Sequence, residues 1–254
     1  MGEQTGVAWT DHTHNPWRGC TKISAGCENC YAEVLAKRNP GVLGVWGNDG
    51  ARVAAAESYW KQPLRWNEKA LRDGVRRSVF CGSLMDFFED RPEVNKLRLR
   101  ALGLMSQTKQ LDWLLLTKRP GNIIPILAFL TGLPENVRLG TTVEDQRATS
   151  RVEKLLEAAS RFKVKTFLSV EPLIGPVEIP RVADVGWVIV GCESGPNRRP
   201  CDMAWVRRIV KDCRAAGTSV FVKQMAVECD APKNGVCHHL RHWPEVVRLQ
   251  EKPR

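Results

Sequence analysis

From residue 79 onward the chain alternates near-continuous apolar runs with stretches of helical pattern. Val79-Phe80-Cys81-Gly82-Ser83, Trp113-Leu114-Leu115-Leu116-Thr117 and Gly186-Trp187-Val188-Ile189-Val190-Gly191 have the length of strands and are apolar on both faces. Val137 to Val143, Lys165 to Val170 and Ser219 to Lys223 read the same way. Helices are expected over 94–105, from Pro120 to near Gly132, over 146–159 and over 205–215. Strands buried on both faces and separated by single helices form a parallel sheet covered by helices. Two architectures satisfy this, an open doubly wound sheet and a (β/α) barrel. Nearly every strand ends in groups able to do chemistry: Ser83 with Asp86, Thr117 with Lys118, Thr142 with Glu144, Ser169 with Glu171, Glu193 with Ser194, and Lys223 with Gln224. Loops are polar anyway, which accounts for one or two such pairs. Six in succession favour a barrel, where strand ends converge on one face. The expected fold is a partial (β/α) barrel of about six to seven mostly parallel strands, with Val7-Ala8-Trp9-Thr10 as a short first strand.

Ahead of this region lies Asn15-Pro16-Trp17-Arg18-Gly19-Cys20-Thr21-Lys22-Ile23-Ser24-Ala25-Gly26-Cys27-Glu28-Asn29-Cys30-Tyr31. Six residues separate Cys20 from Cys27 and two separate Cys27 from Cys30. Three thiolates suit a soft metal centre, and a missing fourth ligand leaves a position for a small molecule. The spacing alone is compatible with a structural zinc site completed elsewhere, with buried free thiols, and with a [4Fe-4S] cluster held by three cysteines.

No linker divides the 254 residues, so one domain is expected. It consists of the cysteine loop and first helix (1–40), an insertion or extra helices (41–78), the strand-helix units (79–224) and a C-terminal tail (225–254). In the insertion Ala54 to Trp60 reads as helical, and Trp60, Leu64 and Trp66 are expected to pack on the core. No apolar run is long enough for a membrane span, and the first residues lack the basic region and apolar core of a secretory signal. Nine cysteines without such a signal argue for a reducing cytoplasm rather than a disulfide framework. The net charge of +10 suits a nucleotide or nucleic-acid partner, although the basic residues are spread rather than blocked.

The cysteine loop after a first strand, followed by repeated strand-helix units, resembles the radical S-adenosylmethionine (SAM) superfamily. More closely, the loop, Gly82-Ser83-Leu84-Met85-Asp86-Phe87-Phe88, Leu115-Leu116-Thr117-Lys118-Arg119-Pro120 and Ser169-Val170-Glu171-Pro172-Leu173 resemble a phage and bacterial three-cysteine-motif family, described as phage proteins of unknown function. The resemblance runs from Trp9 to about Pro244. It implies a radical-SAM-like partial barrel in which Cys20, Cys27 and Cys30 ligate three irons of a [4Fe-4S] cluster and SAM takes the fourth. Electron transfer into the sulfonium would then yield a 5'-deoxyadenosyl radical, which requires an electron donor. Gly82 and Ser83 would receive the SAM amino group, with Asp86 behind them. Ser169 and Glu171 would meet ribose or substrate, and the strand ending at Gly191 would pack near adenine.

The expected function is therefore a cytoplasmic radical-SAM-type enzyme acting on a nucleotide or nucleic-acid substrate. Lys118, Glu144, Glu171, Glu193 and Lys223 are the candidates to orient substrate or move protons, and Arg119, Arg198 and Arg199 the candidates to meet phosphate. One rival is a non-catalytic zinc or iron-sulfur nucleic-acid-binding protein; another is a metal-free hydrolase using the strand-end carboxylates and lysines. A second metal group could form from Cys229, Cys237, His238, His239 and His242, against an exposed or partly packed tail. Cys81, Cys192, Cys201 and Cys213 are expected in core or incidental positions, with Cys192 able to face the site. His12 and His14 are expected at the surface.

Overall fold

The computed structural model describes residues 5–228, 230, 232–233 and 235–252. In chain order its strands are β1 (His12–His14), β2 (Trp17–Arg18), β3 (Val53–Ala54), β4 (Arg77–Cys81), β5 (Leu111–Thr117), β6 (Val137–Thr142), β7 (Lys165–Leu173), β8 (Trp187–Cys192) and β9 (Ser219–Gln224). β1 and β4 to β9 form one parallel sheet in the order β1-β4-β5-β6-β7-β8-β9, curled into a half-barrel. β2 and β3 pair separately as a short antiparallel ribbon. The expected partial barrel is thus the fold observed.

Successive residues of a strand face opposite sides, so each strand divides between two apolar clusters. Val79, Trp113, Leu139, Leu168, Val188 and Val220 face outward into a large core with the helices. Of the helices α1 (Tyr31–Arg38), α2 (Pro40–Leu43), α3 (Glu57–Trp60), α4 (Gln62–Arg72), α5 (Asn95–Gln107), α6 (Ile123–Ile126), α7 (Ser150–Phe162) and α8 (Met203–Ala216), the longer α4, α5, α7 and α8 supply most of that core's helical residues. Phe80, Leu114, Phe167, Ile189 and Phe221 face inward with Trp9 and Trp187, forming an apolar floor inside the curl. Gly140 makes room for this floor, since a Cβ there would stand 2.3 Å from the Phe167 ring. One alternation further along, the inward positions are Gly82, Leu116, Thr142, Ser169, Gly191 and Lys223. A two-residue step therefore converts an apolar floor into a polar wall.

Several expectations are corrected. Residues 7–10 are not a strand: Trp9 turns into the floor, its ring 4.7 Å from that of Phe80, and pairing begins only at His12. His12 and His14 are buried rather than exposed. They point outward from β1 under the insertion, stacked on Trp66 at 4.3 Å and on Tyr59 at 4.7 Å. Leu64 is exposed, because Pro63, Trp66 and Ala70 define the buried side of α4. The helix expected from Pro120 shrinks to a 3-10 turn and the four residues Ile123–Ile126. The tail, expected exposed or partly packed, is partly packed: Val236, Cys237, Trp243 and Val247 are buried, and residues 249–251 bond to the β9 backbone. No helix among the described residues is long and apolar enough to cross a membrane.

Both ring nitrogens of His14 are buried without a hydrogen-bond partner, and burial depresses its pKa to about 3. The unfolded chain, with an ordinary histidine, binds this proton more tightly, so stability falls as pH drops from about 6.5 toward 3. His14 alone is expected to remove about 2 kcal/mol between pH 7 and pH 5. Urea unfolding at both pH values should show this loss shrinking in His14→Phe; an equal loss in both proteins would contradict the account.

Candidate functional site

Above the floor, at the C-terminal ends of the strands, lies a cavity of about 290 Å³. Trp9, Phe80 and Leu116 reach it from below, and the cysteine loop brings Cys20, Cys27 and Cys30 to its wall. The strand ends add Ser83, Asp86, Lys118, Ser169, Glu171, Lys223 and Gln224, and the segment beyond β8 adds Glu193. The convergence expected from strand-end chemistry is realised for all of these. Glu144 and Gly191 are not on the wall. Gly191 lies beneath it, where a Cβ would stand 3.0 Å from Glu171 Oε1. Gly82 has φ of +114°, a conformation that side chains rarely adopt, and a Cβ would press to 3.2 Å from the Leu116 carbonyl.

Buried ion pairs fix the cysteine loop in place. Arg119 Nη1 donates to Asp86 Oδ2 at 2.8 Å and lies 3.9 Å from Cys20 Sγ, while Nη2 donates to the Thr21 carbonyl at 2.7 Å. Asp86 also accepts from Thr117 Oγ1 at 2.6 Å and from the Lys118 amide at 3.1 Å. Arg52, fully buried, donates twice to Glu89, each time at 2.7 Å, and to Thr21 Oγ1 at 2.8 Å. Burial would raise the Glu89 pKa, but Arg52 outweighs it and holds the carboxyl below its usual range.

At the other end of the loop Ser24 donates to Glu144, which pairs with Arg151 at 2.7 Å. Burial alone would raise the Glu144 pKa; Lys118, Ser24 and Arg151 together bring it below the usual carboxylate range. Glu193 pairs with Arg199 at 2.5 Å and accepts from Asn29 at 3.0 Å, while Arg199 also donates to the Ala25 carbonyl at 2.9 Å. Tyr31 donates its hydroxyl to the Ser83 carbonyl at 2.7 Å, and Asn15 donates to Ser83 Oγ at 2.8 Å.

These contacts give several candidates structural partners. Glu144 and Glu193 hold the cysteine loop as partners of Arg151 and Arg199. Arg119 and Arg199 are committed to carboxylates and are not held out for phosphate; Arg198 is exposed. Glu171 and Lys223, paired at 2.8 Å, and Lys118 remain on the wall as expected. Ser24, Asn29, Arg52 and Glu89 were not singled out from the sequence. Arg52 falls in the stretch with no clear pattern, and only the spatial partner reveals the others.

Burial pushes the Cys20 thiol up to about 12, with Asp86 adding to the effect and Arg119 opposing it; burial raises Cys30 as well. Among the described residues no three His, Cys, Asp or Glu side chains gather into a set that could hold a metal ion. What the three cysteines share is the cavity wall.

Cys192 and Cys201 form a disulfide, not the core or incidental thiols expected, and Cys192 lines the cavity. The second metal group is not assembled among the described residues. Cys237 is buried with its thiol on the His239 carbonyl, His242 pairs with Asp230 at 2.9 Å, and Cys229 lies outside those residues.

Residues 4–243 match the model of a family described as a protein of unknown function (DUF5131), and the chain belongs to that family. No curated protein and no solved structure matches it.

Replacing Arg119 by Leu leaves the Asp86 carboxylate without its cation in a buried setting, a change that typically costs about 3–5 kcal/mol. Arg119→Leu is expected to lower the urea midpoint by a corresponding amount. Arg119→Lys, which keeps the charge without the fork, should fall between it and the native chain. Equal midpoints for all three would show that the network does not hold the loop.

Proposed function

We propose that this protein is an iron-sulfur enzyme of radical-SAM type. The observation that carries the reading is the meeting of Cys20, Cys27 and Cys30 with the polar strand ends in one cavity over an apolar floor. The three cysteines would hold the cluster, and their thiols would give up their protons on binding it. A [4Fe-4S] cluster with SAM supplies reductive cleavage of a carbon-sulfur bond and so a carbon radical.

The chain's own residues bind, orient and exclude water. Gly82, without a side chain, lets a ligand approach the backbone beside Ser83, whose hydroxyl is held by Asn15. Glu171, paired with Lys223 and 3.3 Å from Ser169 Oγ, is placed to accept a hydrogen bond from a ligand hydroxyl. Lys118 presents a cation to an anionic group on the ligand. Trp9, Phe80 and Leu116 keep water from the lower side of the cavity, where a radical would otherwise be exposed to side reactions. A nucleoside-like substrate suits this mixture of apolar floor and polar wall, and the net charge of +10 favours a nucleotide or nucleic acid.

Anaerobic reconstitution with iron and sulfide tests the reading. The native chain is expected to give a reduced electron paramagnetic resonance spectrum that changes on adding SAM, and Cys20→Ala, Cys27→Ala and Cys30→Ala are expected not to assemble the cluster. Zinc in place of iron, or a cluster indifferent to SAM, would refute the mechanism and favour the nucleic-acid-binding alternative. Glu171→Gln should retain iron and require about tenfold more SAM or substrate for half-saturation, the scale of one hydrogen bond to a charged group. Unchanged titrations of both would remove Glu171 from the site.

A further inference from the structure

β8 ends at Cys192 and α8 begins at Met203, and between them the chain has neither helix nor strand. The Cys192–Cys201 disulfide closes the base of this loop, with 5.6 Å between the two Cα atoms. It stands beside six free thiols among the described residues. The core does not depend on it, because the strands and the longer helices bury their apolar faces against one another. Where thiols are otherwise kept reduced, a disulfide is usually transient, catalytic or redox-sensing.

The bridged loop grips one side of the cysteine loop. Asn29 donates to Glu193 Oε2 at 3.0 Å and to the Asn197 carbonyl at 2.8 Å. Arg199 Nη1 donates to the Ala25 carbonyl at 2.9 Å, while its Nε and backbone amide donate to Glu193 at 2.9 Å and 2.8 Å. Ala25 and Asn29 flank Cys27, so these contacts position the part of the cavity wall that carries Cys27 and Cys30. Residues 196–198 are exposed. The loop therefore has no core of its own, and its shape rests on the bridge and on the Glu193–Arg199 pair.

The two bridged sulfurs differ in access. Cys192 is buried at the end of β8 and lines the cavity, whereas Cys201 is only half-buried. An incoming thiolate reaches the more accessible sulfur first.

We infer that Cys192 and Cys201 form a thiol–disulfide exchange site whose reduction releases the grip of residues 193–200 on the cysteine loop. The reductant is a dithiol. One of its thiolates attacks Cys201 Sγ, the Cys192–Cys201 bond breaks, and Cys192 leaves as a thiolate that takes up a proton. The second thiolate of the reductant then displaces Cys201, which is protonated in turn, and the reductant departs as a disulfide. Two electrons pass to the protein. Once open at its base, the loop gains chain freedom that only the hydrogen bonds to Ala25 and Asn29 and the Glu193–Arg199 pair oppose. No metal at the three cysteines is required for this.

The test equilibrates the full chain, without denaturant, at a series of ratios of reduced to oxidised dithiothreitol. Alkylation of the trapped thiols and mass spectrometry should show Cys192 and Cys201 converting together in one two-electron step. Amide hydrogen exchange then compares the two end states. Reduction is expected to speed exchange over residues 24–30 about tenfold, the scale of one or two lost hydrogen bonds, and to leave β5 and β6 unchanged. Arg199→Ala should exchange fast over 24–30 even when oxidised, and Cys192→Ser/Cys201→Ser should do so at every ratio.

A bridge that survives excess reduced dithiothreitol would overturn the inference, as would equal exchange over 24–30 in the two states. So would oxidised Arg199→Ala exchanging as slowly as the oxidised native chain. Faster exchange across the whole sheet on reduction would overturn it too, since the bridge would then brace the fold. The native chain alone decides the matter should either variant fail to fold.

Discussion

The alternation of side chains along a parallel strand is the constraint on which this structure depends. Each strand of the half-barrel gives one face to a helix-covered core and the other to the inside of the curl. The inside cannot be polar throughout, because the lower part is closed off from water by Trp9 and by the rings of Phe80, Phe167 and Phe221. Two residues further along each strand the same face meets the cavity, and there the chain changes to Gly82, Thr142, Ser169 and Lys223. Floor and wall are thus set by one register. A slip of one residue in any strand would exchange a wall residue for one of the outer core.

The charged residues around the cavity divide into two kinds of work. Asp86, Glu89, Glu144 and Glu193 are each matched to an arginine and hold the cysteine loop or its neighbours to the strand ends. Burying so many charges is tolerable only because each carboxylate accepts several hydrogen bonds; Asp86 alone receives them from Arg119, Thr117, the Lys118 amide and the Phe88 amide. Lys118 and the Glu171–Lys223 pair stand on the cavity wall, where a ligand would meet them. The loop carrying three cysteines has little regular structure of its own, so these cross-links supply the rigidity that a helix or sheet would otherwise give.

The strands of the repeated units and the face on which their chemistry converges could be read from the sequence, because a doubly buried strand and a polar strand end leave local marks. What could not be read is whatever depends on a partner distant in the chain. Arg119 and Arg199 look like phosphate-binding residues until Asp86 and Glu193 are found beside them. His12 and His14 sit among polar residues and read as exposed, but the insertion brings Tyr59 and Trp66 over them. Trp9 sits in a strand-like run, and only the filled interior of the curl shows why it turns inward. The Cys192–Cys201 disulfide joins residues nine apart across a loop whose shape has no sequence signature.

Residues 249–251 lie along β9, with the Val222 amide on the Leu249 carbonyl at 2.7 Å and the Trp187 indole on the Glu251 carbonyl at 2.9 Å. They cover an edge that would otherwise present a row of unpaired amides and carbonyls. About twenty-five residues separate this strap from β9. Until the strap packs, the paired sheet keeps one open edge, to which a foreign strand can add.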